Sequence, residues 1–344
     1  TKIETAAIMM DPNTGEVLAL IGGNNYSKSQ FNRATKAKRQ VGSTMKPLLY
    51  YSALESGFTS SSSFTSEKTT FTFSGGKSYS PKNYNDRYAE GPLSMEAAIA
   101  YSDNIYAVKT HLFLGENNLI NTAKRLGITS NLSEVPSLAL GTSEISLIEM
   151  TSAYSCFASL GYKTTPHFIK KIEDSKGNIL YENKEEKELL LNPSLTYILN
   201  EMLTSTYNKN FINYNYPTLI SLLPQITHKY AIKSGTTDTD LLIMGYNKNV
   251  VLGVWNGYDN NTKIDSSEYS HHKNIWIDTM ESYFKQKEAS WYEIPNNVVG
   301  VLTEPITGAL ATDETQNKEM FFYLKGTEPS AESNYKDLEA VFQE

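Results

Sequence analysis

The sequence predicts a mixed α+β fold: one central antiparallel sheet flanked by helices, a helical lobe, and an active site in the cleft between them. Strand patterns occur near both ends of the chain, as a hairpin pattern at 6–21 and three consecutive strand patterns at 230–255. Helical patterns dominate the stretch between them. Because a sheet must bury its apolar face, the strands from the two ends are expected to share one sheet that helices cover.

Each element has a local reason. In the N-terminal hairpin, apolar strands at 6–10 and 16–21 flank a turn rich in Pro, Asn and Gly. A helix is expected from Ser43 to just before Gly57, since glycine favours helix ends. The Ser/Thr-rich stretch 59–80 predicts a long loop or loose hairpin. The remaining predictions are helices at 94–100, 105–114, 120–126, 146–160, 194–203 and 273–286, a hairpin at 167–182, and strands at 230–236, 241–246, 250–255 and 298–303.

Composition indicates a globular protein with a large core. The 344 residues are 40% hydrophobic and 20% charged, and the net charge of −7 argues against nucleic acid as a partner. The single cysteine, Cys156, lies in an apolar helical pattern and is expected to be a core residue. The chain shows no signal peptide and no apolar run approaching about 18 residues, so we do not expect it to enter a membrane. The chain opens on a strand pattern, and we therefore interpret the chain as a fragment of a longer protein.

Three short motifs in a fixed order are the most specific feature of the chain. Ser-x-x-Lys occurs five times, but only the instance at Ser43 precedes the other two motifs and opens a predicted helix. Each motif alone is weak evidence, whereas the ordered set indicates one acyl-transfer site. The three motifs are Ser43-Thr44-Met45-Lys46, Ser102-Asp103-Asn104 and Lys233-Ser234-Gly235-Thr236.

The chemistry explains why these residue types are needed together. The Ser43 hydroxyl is a poor nucleophile without a neighbouring base, and Lys46 lies one helical turn away. A lysine serves as that base when burial or a second cation, here Lys233, lowers its pKa. Ser102 is expected to relay a proton towards the leaving amine.

The other motif residues are expected to bind substrate. Asn104 would offer its amide to the substrate's peptide group, and Ser234 and Thr236 would bind a substrate carboxylate, with Lys233 adding charge. Gly235 and Thr237 complete the expected substrate-binding set. The backbone N–H groups of Ser43 and Thr236 are expected to form the oxyanion hole.

These residues resemble the penicillin-binding protein and serine β-lactamase superfamily. The flanking sequences are similar to those of class A, bifunctional penicillin-binding proteins, and the resemblance runs from about Thr5 to about Pro329. The stretch 205–229 fits that family poorly. The flanks that carry the resemblance are Asn32-Arg33-Ala34, Arg39-Gln40-Val41-Gly42, Pro81-Lys82-Asn83-Tyr84, Gly91-Pro92-Leu93, Leu140-Gly141-Thr142-Ser143-Glu144-Ile145 and Gly253-Val254-Trp255-Asn256-Gly257-Tyr258-Asp259.

The resemblance implies a serine D,D-transpeptidase of peptidoglycan synthesis, with stem peptides ending in D-Ala-D-Ala as donors, an amine acceptor, and β-lactams as covalent inhibitors. It implies no cofactor and no metal, and a position outside a bacterial cell membrane through an N-terminal anchor and a glycosyltransferase domain missing from this chain. It also implies a transpeptidase domain at 1–290 and a C-terminal appendage at 291–344. The sheet lobe would comprise about 1–40 and 228–290, and the helical lobe about 43–227 with the hairpin 167–182 inserted.

Three alternatives share the motifs. A serine β-lactamase would need a second base for water, and Glu188 with Asn192 fits the Glu-x-x-x-Asn letters at an unsuitable distance from Ser102. A D,D-carboxypeptidase would use water as acceptor, and a β-lactam sensor would acylate without transfer. Separately, His271-His272 invites a metal site, but without ligands at suitable spacing a solvated loop before a helix is expected.

Overall fold

A computed structural model describes residues 2–330 and 338. Within these residues, the α-helices are α1 Lys46–Glu55, α2 Met95–Tyr101, α3 Asn104–Leu114, α4 Glu116–Arg125, α5 Leu147–Ala158, α6 Pro193–Met202 and α7 His271–Phe284. The strands are β1 Glu4–Met10, β2 Val17–Ile21, β3 Lys38–Gln40, β4 Ser63–Ser66, β5 Phe71–Thr72, β6 Ser78–Tyr79, β7 Gly91–Ser94, β8 Glu144–Ser146, β9 Tyr162–Lys163, β10 Lys171–Glu173, β11 Ile179–Glu182, β12 Glu188–Leu189, β13 Ala231–Thr236, β14 Asp240–Tyr246, β15 Val251–Gly257, β16 Val298–Thr303 and β17 Glu319–Leu324.

Strands from both ends of the chain form one five-stranded antiparallel sheet, in the order β13-β14-β15-β1-β2. The junction is the pairing of β1 with β15, which sets Ala6 opposite Trp255 and Met10 opposite Val251. The predicted mixed fold with a central antiparallel sheet and helices is therefore confirmed.

Helices cover both faces of this sheet. Side chains alternate between the faces of a strand, and the apolar residues of the sheet divide accordingly into two clusters. Ile8 and Met244 belong to the cluster that includes α5, whereas Met9 and Ile243 belong to the cluster that includes Trp276 of α7. The near-continuous apolar sequences of β14 and β15 follow from this burial on both faces.

Several local predictions are confirmed. The N-terminal hairpin, the exposed hairpin of β10 and β11, and the strand at 298–303 are present, and Cys156 is buried in α5. Several short strands were missed, among them β4 and β17. The stretch 59–80, predicted as a long loop or loose hairpin, contains the hairpin of β5 and β6 and also β4, which pairs with β7. Strand β17 pairs with β16. Strands β4 and β17 are each separated from their partners by more residues than a hairpin turn contains, so no hairpin signal marks them.

The prediction for His271-His272 was wrong. The two residues are the first turn of α7 and not a loop before it, and the His272 side chain is fully buried. The turn faces the sheet because Trp276, one turn further on, packs against the backbone at Gly245. Burial lowers the pKa of His272 to about 3, assisted by the charges of Lys273 and His271.

The described residues form no helix with both the length and the apolar character that a bilayer crossing requires.

Candidate active site

Ser43 lies on a short 3₁₀ helix, Gly42–Met45, that leads directly into α1. The turn before Ser43 depends on two glycines with positive φ, Gly42 at +57° and Gly141 at +74°. Gly42 N donates to Gly141 O at 3.1 Å, and a Cβ at Gly141 would lie 1.9 Å from Gly42 O. This contact leaves room for glycine alone and fixes where the serine enters the cleft.

Helix α5 supports the same turn from behind. The Tyr154 hydroxyl donates to Thr44 O at 2.6 Å, and both residues are fully buried. The Thr44 hydroxyl in turn donates to Val41 O at 2.6 Å. These bonds hold the segment around Ser43 against the helix that packs on the central sheet.

The second motif occupies the turn between α2 and α3. Ser102 has φ +54°, a left-handed conformation that ends α2, and Asp103 then caps α3 by accepting from Tyr106 N at 2.8 Å. Asn83 donates from Nδ2 to Asp103 Oδ2 at 2.7 Å and accepts from Asn104 N at 2.7 Å. The buried Asn83 side chain therefore bonds to two of the three motif residues.

Both lysines meet at the Ser102 hydroxyl. Lys46 Nζ lies 3.1 Å from Ser102 Oγ and also donates to Ser102 O at 2.8 Å and Asn104 Oδ1 at 2.7 Å. Lys233 Nζ approaches the same hydroxyl at 3.0 Å and donates to Ser234 O at 2.8 Å. The three motifs, distant in sequence, thus form one hydrogen-bonded group.

Burial changes the protonation of both lysines. Desolvation of the fully buried Lys46 lowers its pKa to about 7, against the opposing effect of the Asp103 charge. Desolvation also lowers the pKa of Lys233 well below its usual value, with further lowering from the charges of Lys46 and Lys273. A lysine whose pKa lies near 7 can accept and return a proton at physiological pH.

The third motif lies on β13, which is an edge strand of the sheet. Ile232 O accepts from the Thr206 hydroxyl instead of from another strand. In an antiparallel edge strand, alternate residues turn both backbone groups outward, so Ser234 and Thr236 share the orientation of Ile232. The Thr236 N–H therefore points to the open edge.

That edge faces the turn that carries Ser43. A Cβ at Gly235 would lie 2.6 Å from Val41 O and 3.1 Å from Ser43 N, and one at Gly42 would lie 3.2 Å from Thr236 N. The N–H groups of Ser43 and Thr236 are therefore neighbours across a narrow gap. Two such donors are the arrangement that stabilises a developing oxyanion.

The structure does not connect every predicted residue. Among the described residues, no hydrogen bond joins the Ser43 hydroxyl to another side chain. The Thr237 hydroxyl accepts from Thr239 N at 3.2 Å and Asp240 N at 3.0 Å, so it closes the turn between β13 and β14. Ser234 is buried, whereas Thr236 is exposed.

The turn after the third motif is held by a buried ion pair. Arg39 Nε lies 2.6 Å from Asp240 Oδ1, which also accepts from Trp255 Nε1 at 2.8 Å. The Arg39 guanidinium lies 5.2 Å from the centre of a Trp255 ring. This cluster ties β3, and with it the entry to the Ser43 turn, to the start of β14.

Sequence reasoning gave no structural role to three residues that shape the site. Asn83 and Gly141 lie in flanks that carried the family resemblance, but their contacts depend on pairing across the fold. Lys273, in α7, lies close enough to Lys233 to lower its pKa, and its only signal was one of the repeated Ser-x-x-Lys patterns. Among the described residues, no group of three or more His, Cys, Asp or Glu side chains is placed to hold a metal ion.

The group can activate a serine and move a proton. A neutral lysine amine, a hydroxyl shared with a second lysine, and a pair of backbone donors are the requirements of acyl transfer through a serine ester.

Comparison with known proteins gives a family match across most of the chain. Residues 5–266 match the family model of the penicillin binding protein transpeptidase domain. Penicillin-binding protein 2D of Bacillus subtilis (strain 168) is 44% identical over 330 residues, which cover 95% of this chain and 48% of that protein. Penicillin-binding protein 1A of Aquifex aeolicus (strain VF5) is 35% identical over 348 residues, covering 98% and 46%. The chain thus spans about half the length of these relatives.

Solved structures share the fold. Penicillin-binding protein 1A from Haemophilus influenzae superposes with a TM-score of 0.86 at 26% identity, over 95% of this chain and 54% of that one. PonA1 from Mycobacterium tuberculosis, solved in complex with penicillin V, gives a TM-score of 0.68 at 22% identity, over 85% and 80%.

Proposed function

The chain belongs to the penicillin-binding protein transpeptidase family, and from that premise we propose that it is a D,D-transpeptidase that cross-links peptidoglycan stem peptides through an acyl-enzyme on Ser43. The observation that carries the proposal is the Ser102 hydroxyl, which lies 3.1 Å from Lys46 Nζ and 3.0 Å from Lys233 Nζ. This bridge supplies the two proton transfers that acylation requires.

In the proposed acylation, neutral Lys46 takes the Ser43 proton as Oγ attacks the penultimate D-Ala carbonyl. The N–H groups of Ser43 and Thr236 stabilise the oxyanion. The C–N bond then breaks, and the terminal D-Ala leaves with a proton that Ser102 passes on from Lys46. Lys233 holds the Ser102 hydroxyl in place.

In the second half of the reaction, the acceptor amine attacks the Ser43 ester and loses a proton to Lys46. The new amide forms the cross-link, and the Ser43 oxygen recovers its proton. A β-lactam acylates the same hydroxyl, but its amine remains tethered to the acyl group, so the ester persists.

The substrate-binding set is proposed on the same basis. Asn104 uses one amide hydrogen on Lys82 O at 2.7 Å, which leaves its second amide hydrogen for the substrate's peptide group. Ser234 and Thr236 are proposed to bind the substrate carboxylate. Gly235 contributes to the substrate-binding set by letting the Ser43 turn pack closely on β13, and Thr237 holds the turn beyond it.

We propose the domain organisation and the cellular setting as well. The transpeptidase domain comprises 1–290, with the sheet lobe at about 1–40 and 228–290, and an appendage follows at 291–344. In the appendage, β17 packs against α6. The matched relatives are about twice as long as this chain, which supports a longer protein. We propose that it acts outside the cell membrane, with β-lactams and stem peptides as its ligands.

The β-lactamase alternative finds no support at Glu188. This residue is exposed on β12, paired with Lys163, and Asn192 caps α6 with its side chain. Both members of the Glu-x-x-x-Asn pattern thus have structural positions of their own.

The test is the intact mass of the protein after brief exposure to benzylpenicillin, followed over hours, with Ser43→Ala alongside. A stable one-to-one adduct that the variant lacks supports a penicillin-binding acyltransferase. An adduct lost within seconds, with hydrolysed drug accumulating, indicates a β-lactamase. A donor pentapeptide with an amine acceptor then separates the transpeptidase from the carboxypeptidase, which releases free tetrapeptide, and from the sensor, which releases neither product.

A further inference from the structure

Resting on this proposed function, we propose that Lys273 supplies the positive charge that binds the carboxylate of the donor peptide or of a β-lactam. It is a lysine outside the three motifs, on the first turn of α7. The sequence motifs assign that charge to Lys233, but the geometry around Lys233 is poorly suited to it.

The amines of Lys233 and Lys46 both already have hydrogen-bond partners. Each side chain is fully buried, and each Nζ already contacts Ser102 Oγ and a backbone carbonyl. Lys46 Nζ thus uses its donors on Ser102 and Asn104, and Lys233 Nζ uses most of its donors on Ser102 and Ser234. A substrate carboxylate in the cleft is therefore better served by an amine with more free donors.

Lys273 approaches from the correct side of β13. Ser234 and Thr236 share the orientation of Ile232, whose side chain belongs to the apolar cluster of α7. A Cβ at Gly245 would lie 2.3 Å from a ring atom of Trp276 and 3.2 Å from Ile232 Cγ2. The first turn of α7, one turn before Trp276, thus lies over the face that carries the two hydroxyls.

The Lys273 amine also reaches the segment that precedes β13. Its Nζ donates to Thr218 O at 3.2 Å, and Thr218 N donates to Ala100 O at 2.9 Å, two residues before Ser102. The charge therefore lies between the third motif and the turn of the second. The nearby Lys273 charge also contributes to lowering the pKa of Lys233.

The charge is available to a ligand. The Lys273 side chain is partly exposed, and across the described residues it forms no ion pair with an acidic side chain. An ammonium group has three donors, and Thr218 O uses one. A carboxylate held by Ser234 and Thr236 would give the other donors a charge-assisted partner.

The test compares two ligands, benzylpenicillin and its neutral methyl ester, on the full chain as it stands. We measure second-order acylation rates for the wild type, Lys273→Met and Lys273→Arg, with Lys285→Met at the far end of α7 as the matched control. Lys273→Met should slow benzylpenicillin roughly tenfold to a hundredfold and the ester less than about twofold. Lys273→Arg should recover most of the lost rate, and Lys285→Met should match the wild type.

Two outcomes would overturn the proposal. An equal loss for acid and ester would mean that Lys273 acts through Lys233 or through the fold, and no loss would mean that it has no role in binding. Thermal unfolding of each variant identifies misfolding. If Lys273→Met is misfolded, the acylation rates of Lys273→Arg with the two ligands decide the question. Failure of the wild type to form a Ser43 adduct would instead contradict the proposed function itself.

Discussion

Lys46 is bound to Ser102 through two contacts of one amine, at 3.1 Å to the hydroxyl and 2.8 Å to the carbonyl. The residue that follows Ser43 by one turn is thus positioned mainly by the second motif, not by its own helix. The same amine contacts Asn104 Oδ1 at 2.7 Å. Loss of order in the Ser102 turn should therefore impair the proposed base directly.

Acylation should depend on pH through Lys46. Its pKa is lowered to about 7, and only the neutral amine can accept the Ser43 proton, so the rate should rise as pH increases through about 7 and level off above it. The measurement is the second-order rate of benzylpenicillin acylation between pH 5.5 and 9 at constant ionic strength. A flat profile, with circular dichroism unchanged across the range, would argue against Lys46 as the base.

Asn83→Ala should slow acylation while leaving the chain folded. The substitution removes the bonds to Asp103 Oδ2 and Asn104 N, both 2.7 Å, and so frees the Ser102 turn. Because a misplacement of about 1 Å can cost a hundredfold, we expect a loss of roughly tenfold to a hundredfold. The rate of penicillin acylation and the melting temperature are measured together.

The control is Asn117→Ala, which removes one exposed hydrogen bond to Glu134 at 2.8 Å. This substitution should change neither the rate of penicillin acylation nor the melting temperature. Equal rates for the two variants would mean that Asn83 does not position the second motif.

The sequence was sufficient to predict the central sheet, most helices and the order of the three motifs, because local patterns mark them. The sheet follows from apolar strand patterns at both ends of the chain, and the Ser102 turn from the break between two helical patterns. Lys273 was not predictable in this way. Its position results from α7 packing on β14 and β15 and from a carbonyl in the stretch 205–229, and neither contact has a signature along the chain.

His272 is a second residue whose position could not be predicted from the local sequence. A histidine pair before an apolar helix predicts a solvated loop, yet tertiary packing extends the helix and buries one ring. Burial of a polar ring is decided by the sheet beneath α7, which the local sequence does not contain.

Glu149→Gln should destabilise the fold in a pH-dependent way. Burial raises the Glu149 pKa, but hydrogen bonds from Ser130, Ser146 and Thr129 outweigh it and lower the pKa to about 2. Since this lies below the ordinary value of about 4.3, the stabilisation is complete above pH 5 and is lost as pH falls from about 4 towards 2.

The variant should therefore be less stable at pH 7 by about 1–2 kcal/mol, because a neutral amide can still close the capping box of α5 but loses the charge-assisted bonds of the carboxylate. Urea unfolding at pH 7 and pH 3.5 measures the difference, which should be smaller at the lower pH. Glu144→Gln, an exposed position on β8, is the control. A difference that stays constant with pH would contradict the assigned role of the carboxylate.

Gly141→Ala should abolish acylation through the position of Ser43. A Cβ there would lie 1.9 Å from Gly42 O, so either the backbone at Gly141 or the 3₁₀ helix Gly42–Met45 must move. Gly75→Ala is a matched control, since Gly75 also has positive φ, at +79°, but no atom lies within 4 Å of its Cβ position. Backbone strain of about 1 kcal/mol is common to both, so any greater loss of stability or acylation in Gly141→Ala reports the contact alone. Equal melting temperatures and equal penicillin labelling in the two variants would show that the Gly42 turn tolerates the displacement and does not fix the nucleophile.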